Sequence, residues 1–262
     1  MTTAVLLSSE LLAALADDAA TLAFLHSREL TAEVLDGLAE VGFPANLAMT
    51  PQGGHAEDAH RLLAEAVRVL ATAQDAPLRA DALETLAVDF AAIYLTGSYG
   101  ASPCESVWVD DDHIVCQEPM FELRKLYAEA GLAAPDWRTR PDDHLVHQLG
   151  YVAHRLRGFA GLPAAELREV VATLADVLDI HLLRWLPDFA ERVAGRCETP
   201  LYAGLALLTD AWCQQLRDLF AAFLDIARPS REAVEERLHP ARTATLEAVP
   251  IHFVPGGNRP SW

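Results

Sequence analysis

Basic residues are scarce in this chain: 20 Lys and Arg stand against 38 Asp and Glu, a formal net charge of −18. A nucleic-acid binder needs clustered cations to displace counterions, so that class is excluded. Anionic lipid would be repelled by the same surface, and a cationic partner would be attracted. The acidity also serves simply to keep a cytoplasmic protein dissolved, and on charge alone that use stands ahead of partner attraction. Cysteines number four, at 104, 116, 197 and 213, with no CxxC and no zinc-finger spacing. They read as buried thiols of a reducing compartment. No window reaches the ~18 uninterrupted apolar residues of a membrane span. The opening "MTTAVLLSSELLAALADD" has no Lys or Arg before its apolar run and turns acidic at Asp17, unlike a secretory signal. The expectation is a soluble, cytoplasmic protein without stable membrane insertion.

What is abundant is helix-forming. Apolar residues make up 52% of 262, Leu and Ala prominent, with only 14 Gly, and Ala and Leu lose least on entering a helix. The first helix is predicted over 9–26, opening at a serine cap with Leu11, Leu12, Leu15, Leu22 and Leu25 near a 3.6-residue period. Further helices are predicted over 31–41, stopped by Gly42 and Pro44, then over 57–73 and 78–95. Residues 96–119, "TGSYGASPCESVWVDDDHIVCQEP", break the pattern and read as a long ordered loop. A helix resumes over 120–131, and "LAAPDWRTR" (132–140) reads as a hinge. Next come a helix over 142–158 with its acids in the first turn, one with Pro163 at its first position that carries 167–195 and kinks near Pro187, and one opening at Thr199-Pro200. The predicted organisation is an N-terminal helical part (1–134) that includes the 96–119 loop, a C-terminal helical part (135–250) and a tail (251–262). The fold class is all-α.

Candidate chemistry gathers at "PDDHL" (141–145) and the "VHQLGYVAHRL" that follows. His144, His147 and His154, spaced by three and seven, can share one helix face with Asp143 at its edge. The spacing matches neither HExxH nor a di-iron helix pair, so partly exposed hydrogen-bonding histidines stand ahead of a metal site. Asp143 and His144 are neighbours about 100° apart on a helix. At a helix start both can face a ligand, a backbone or a guanidinium; alternatively an Asp there only caps the helix. Ser106 lies outside any GxSxG motif and Cys104 has no family signature. No phosphate-binding glycine loop is present. Phe90, Tyr94, Tyr99, Pro103 and Trp108 either line an apolar groove for a peptide or cover the core.

Three stretches in order, 94–108, 121–156 and 181–212, resemble the TorD/DmsD/NarJ group of cytoplasmic redox-enzyme maturation chaperones. The first resembles the family loop in which an aromatic-ended helix leads to Pro, then Ser-Val and an aromatic; here these are Tyr94, Pro103, Ser106, Val107 and Trp108. The second carries the Asp-His motif at Asp143-His144, with departures at Arg140 and Gln148. The third, "HLLRWLPDFAERVAGRCETPLYAGLALLTDAW", resembles the family's later helices. The resemblance implies an all-α fold of two helical parts joined by a hinge, as a monomer or a domain-swapped dimer. It implies no catalysis and no cofactor of its own. The implied partner is the catalytic-subunit precursor of a molybdenum-cofactor oxidoreductase, bound by its twin-arginine leader peptide and held until the cofactor is inserted. The implied peptide-binding residues are Phe90, Tyr94, Tyr99, Pro103, Ser106, Trp108, Asp143 and His144. Two other classes stay open: a metal-dependent helical enzyme using His144, His147 and His154, and a helical adaptor without leader preference.

Overall fold

The computed structural model describes residues 6–50, 52–73 and 75–239; the predicted tail, 251–262, lies outside them. Among the described residues there are helices and no strand. Helix α1 (Ser9–Ser27) is capped by Ser8, whose Oγ accepts from Leu11 N at 3.2 Å. Then come α2 (Ala32–Glu40), α3 (Gly54–Thr72) and α4 (Ala76–Phe90), the last running into a π-helical turn, Ala91–Leu95. A one-turn helix, α5 (Ser106–Val109), interrupts the predicted loop. It is followed by α6 (Glu118–Glu129), α7 (Leu145–Phe159), α8 (Ala164–Val177) with a second π turn (Leu178–Leu182), α9 (Leu186–Ala194) and α10 (Pro200–Leu224).

Two boundaries differ from expectation. Helix α7 begins at Leu145, so Asp142 and Asp143 precede it and His144 is its cap. The stretch predicted as one kinked helix is two: Pro187 sits in the first turn of α9, where its missing N–H costs nothing, and the chain breaks at Leu183–Trp185.

Two long helices organise the core. Helix α1 lies along α7, and α10 packs against α3, α8 and α9. The α3–α10 crossing is close because of one glycine: a Cβ on Gly204 would sit 2.9 Å from the Leu63 Cβ. Trp185, Trp212, Tyr202, Phe189 and Phe220 fill the centre, each burying upward of ~150 Å². Polar anchors fix the register. Asp18 accepts from Ala48 N, Met49 N and Trp212 Nε1 at 3.0, 3.2 and 3.1 Å, tying α1 to the 41–50 segment and to α10. The Asp179 carboxylate is paired with the Arg217 guanidinium at 2.9 Å in the interior. All of this lies within one compact unit, which runs to Arg228. A second unit from Pro229 onward carries α11 (Arg231–Leu238), capped by Ser230 Oγ on Ala233 N.

Candidate functional site

Two stretches forty residues apart meet. Glu105 N–H donates to Asp143 O at 3.1 Å and Leu145 N–H donates to Pro103 O at 2.8 Å, an isolated antiparallel bridge centred on Cys104 and His144. The Asp143 carboxylate locks it: Oδ2 accepts from Ser106 N at 2.8 Å and from Ser106 Oγ at 2.6 Å. The Ser106 hydroxyl in turn accepts from Gln117 N at 3.2 Å. The turn Pro141–His144 closes with His144 N on Pro141 O, and His144 Nδ1 accepts from Val146 N at 3.1 Å, capping α7. Asp142 binds outward to Arg124, with both Nε and Nη2 on Oδ2, while Tyr127 Oη donates to the Asp142 carbonyl.

Behind this element lies a sealed polar group. Glu105 is fully buried; Gln148 Nε2 donates to its Oε2 at 3.0 Å and to Asp143 O at 2.9 Å, and His181 Nδ1 lies 3.2 Å from its Oε1. Burial pushes the Glu105 carboxyl up to about 7, against the opposing pull of His181. Burial likewise raises Asp143, opposed by the two Ser106 bonds, and drives His144 well below the ordinary histidine range. Two acceptor atoms, Asp143 Oδ1 and Gln148 Oε1, are buried without a hydrogen-bond partner. Buried carboxyls of raised pKa often mark function, but the candidate nucleophiles beside them are engaged or held protonated. The Ser106 hydroxyl is spent on Asp143, and burial holds the Cys104 thiol far above its ordinary range.

The three histidines diverge. His144 caps α7, His147 Nε2 meets Arg140 O at 3.2 Å, and His154 is exposed. Among the described residues no group of His, Cys, Asp and Glu is placed to hold a metal ion.

The aromatic candidates separate into three places. Phe90 and Tyr94 pack on each other at 5.0 Å and on Tyr202 at 6.3 and 6.2 Å. Tyr94 Oη also reaches His26 Nδ1 at 2.6 Å, and His26 Nε2 reaches Thr209 Oγ1 at 2.9 Å. Tyr99 Oη donates to Asp89 Oδ1, and the Asp89 carboxylate caps the start of α10 through Glu198 N, Thr199 N and Thr199 Oγ1. Trp108, on α5, donates Nε1 to Ser102 O at 2.7 Å, stands edge-on to Phe189 and lies under the Arg192 guanidinium. Pro103, Ser106, Asp143 and His144 thus come together and are buried; Tyr94, Tyr99 and Trp108 keep partial exposure elsewhere.

The sequence predicts a helix over 57–73 and singles out no site on α3. Its apolar residues form two stripes. Ala59, Leu63 and Val67 are buried against α10, whereas Leu62, Ala66, Val69 and Leu70 border a cavity of about 380 Å³ toward α4. A helix apolar on more than the one face its neighbour covers is the signal that could have found it.

A family model described as "Nitrate reductase delta subunit" matches residues 56–191 of the 262. Among curated proteins the chain is similar to "Chaperone protein TorD" of Photobacterium profundum, 32% identical over 206 residues that cover 76% of this chain and 89% of that one. A protein of the same name from Vibrio parahaemolyticus is 27% identical over 192 residues, 72% and 86% of the two chains. Another, from Vibrio cholerae, is 32% identical over 155 residues, 58% and 67%.

Proposed function

The chain belongs to the TorD/NarJ family of redox-enzyme chaperones, and on that premise we propose that it binds the twin-arginine leader of a molybdenum-cofactor enzyme precursor and holds that precursor in the cytoplasm until the cofactor is in place. The curated relatives carry chaperone names, and the protein is not an enzyme. No helix among the described residues is long and apolar enough to cross a membrane.

The observation that carries the leader-binding reading is the bridge between 103–106 and 143–145. The Asp-His motif and the Pro-x-x-Ser-Val-Trp loop form one element, and its product is the position of Trp108. Asp143, Ser106 and His144 act as positioning residues: their polar atoms face one another and the α7 amides, which fixes the single turn of α5. Trp108 follows Ser106 by two residues and presents a partly buried indole to the α9 surface. Phe90, Tyr94 and Tyr99 brace the start of α10 from behind. An acidic protein draws a peptide bearing two guanidinium groups, and exposed apolar walls take its hydrophobic stretch. Binding needs only one subunit, so a monomer and a domain-swapped dimer both satisfy it.

The test is calorimetric titration of a synthetic leader against the same peptide with both arginines replaced by glutamine. The parent peptide is expected to bind at least about tenfold more tightly, the effect of losing roughly 1.4 kcal/mol of charge-assisted contacts. Equal affinities would overturn the leader reading in favour of an adaptor without leader preference. Affinity capture of a molybdoenzyme subunit with its leader intact would name the client.

A further inference from the structure

Three cavities adjoin along the face where α3, α9 and α10 meet. The first, about 440 Å³, is bordered by Trp108, Glu191 and Arg192. The second, about 580 Å³, shares Glu191 with the first and adds Asp58, Asp210, His55 and Leu207. The third, about 380 Å³, shares Leu62 with the second and is almost wholly apolar, walled by Ala66, Val69, Ala82 and Leu201. The run therefore passes from an indole, through a cleft of three carboxylates, to an apolar groove between α3, α4 and the start of α10.

Its walls are built to stay open. Gly204 brings the α3 backbone hard against α10, so Leu63 seals the crossing from inside while Leu62 is left at the junction of the two cavities. The far end is held by Asp89, which grips Glu198 and Thr199 at the lip of the apolar groove. Val69 is about half exposed, at 49%, although it belongs to an apolar stripe. The cationic groups nearby are engaged. Arg61 is paired with Asp58 at 2.7 Å, and Arg192 donates to Gly100 O while covering Trp108. Three carboxylates, against the guanidinium of Arg61 and that of Arg228 near Asp210, leave the middle cleft negative.

We infer that this run of cavities is the leader-binding surface, with the Asp58–Glu191–Asp210 cleft receiving the arginine side chains and the α3–α4–α10 groove receiving the apolar stretch that follows them. The assignment rests on the leader-binding reading above and adds to it where the peptide lies. The order of chemistry along the surface, acidic and then apolar, matches the order along such a peptide, cationic and then apolar. A second copy of this chain fits less well, since a chain of net charge −18 brings acid to an acidic cleft.

The experiment uses the full chain and a fluorescently labelled synthetic peptide with two adjacent arginines followed by about a dozen apolar residues. Two variants change the surface without touching the core: Val69→Gln with Ala82→Gln in the groove, and Asp58→Asn with Glu191→Gln in the cleft. Each is first matched to the parent by circular dichroism and unfolding midpoint. The groove variant is expected to lose at least about tenfold in affinity. Replacing both peptide arginines by glutamine should weaken binding to the parent protein but change little in the cleft variant. As a measurement independent of any variant, saturating peptide should slow amide exchange in residues 62–70 and 82–86 of the parent protein. If the parent binds the peptide, both variants bind it equally and protection falls elsewhere, the leader reading stands and this site is wrong. An arginine effect of equal size in the parent and the cleft variant would overturn the acidic half. If the parent does not bind the peptide at all, both readings fall.

Discussion

Two buried polar centres in this molecule are finished to different degrees. In the His26–Tyr94–Thr209 chain every side-chain polar atom has a partner. The Thr209 hydroxyl donates to Leu205 O at 2.8 Å, so it accepts the Nε2–H of His26 and leaves Nδ1 to accept from the Tyr94 hydroxyl. The imidazole is neutral, its pKa lowered to about 3 by burial. Around Glu105 the accounting does not close: Asp143 Oδ1 and Gln148 Oε1 have no donor, and two carboxyl groups sit where burial opposes their charge. The first centre joins α1, the end of α4 and α10. The second holds a loop in a set position, and its unmet acceptors lower the stability of the fold. A molecule tolerates that cost where position matters, and here the positioned object is α5 with Trp108.

The largest test of this contrast is Asp143→Ala. It removes both Ser106 bonds and strands a buried N–H, with an expected loss of about 3 kcal/mol in denaturant unfolding. Asp143→Asn keeps an acceptor for Ser106 and should cost about half as much. A loss below about 1 kcal/mol for the alanine variant would mean that the loop is held by the backbone bridge alone.

The two centres also have opposite pH slopes. Glu105 has a raised folded pKa, so its contribution is fully present below the carboxyl's ordinary value of 4.5 and is lost as pH rises to about 7. His26 has a lowered one, so its contribution is present above 6.5 and is lost as pH falls toward about 3. Between pH 4.5 and 6.5 the two oppose each other. Glu105→Gln should expose the histidine slope, making stability climb more steeply with pH across that window in unfolding measured at several pH values. An unchanged profile would show that Glu105 titrates alike in both states. Tyr94→Phe, which leaves His26 Nδ1 bare, should cost about 1–2 kcal/mol without changing the sign of either slope.

The smallest effect expected is on binding. Burial, with Glu191 and Asp188 nearby, raises Asp210 to about 6 against the opposing pull of Gln214 and Arg228. Asp58, Arg61 and His55 face the same cleft. As pH falls through 6 the carboxylate takes a proton, so affinity for an arginine-bearing peptide should drop about threefold between pH 7.5 and 5.5. Asp210→Asn should remove that dependence; a dependence of undiminished size would overturn its assignment to the Asp210 carboxyl.

Much of the fold was legible in the chain. The 3.6-residue apolar period located the long helices, a serine cap marked the start of the first, and Thr199-Pro200 marked that of α10. Boundaries were missed where a side chain does two things at once. Asp142 and Asp143 look like first-turn acids, yet one reaches Arg124 and the other reaches Ser106, and the cap falls to His144. Of the candidate site, Asp143, His144, Pro103 and Ser106 were grouped by the family resemblance, and the structure brings them side by side. Their mutual burial was not legible, because partners at separations near 40 residues leave no local period. The Leu62–Val69 stripe was visible as surplus apolar residues but had no motif to single it out.

By itself the sequence determined the class of structure and the net acidity, and by resemblance the residues of the family element, because propensity, charge and local spacing act within a few turns of chain. Only the tertiary structure decided which of those residues are sealed and which are open. Burial is set by what packs on a side chain, and for Asp143, Tyr94 and Leu62 those neighbours come from Ser106, Tyr202 and the α4–α10 walls, placed by the whole core.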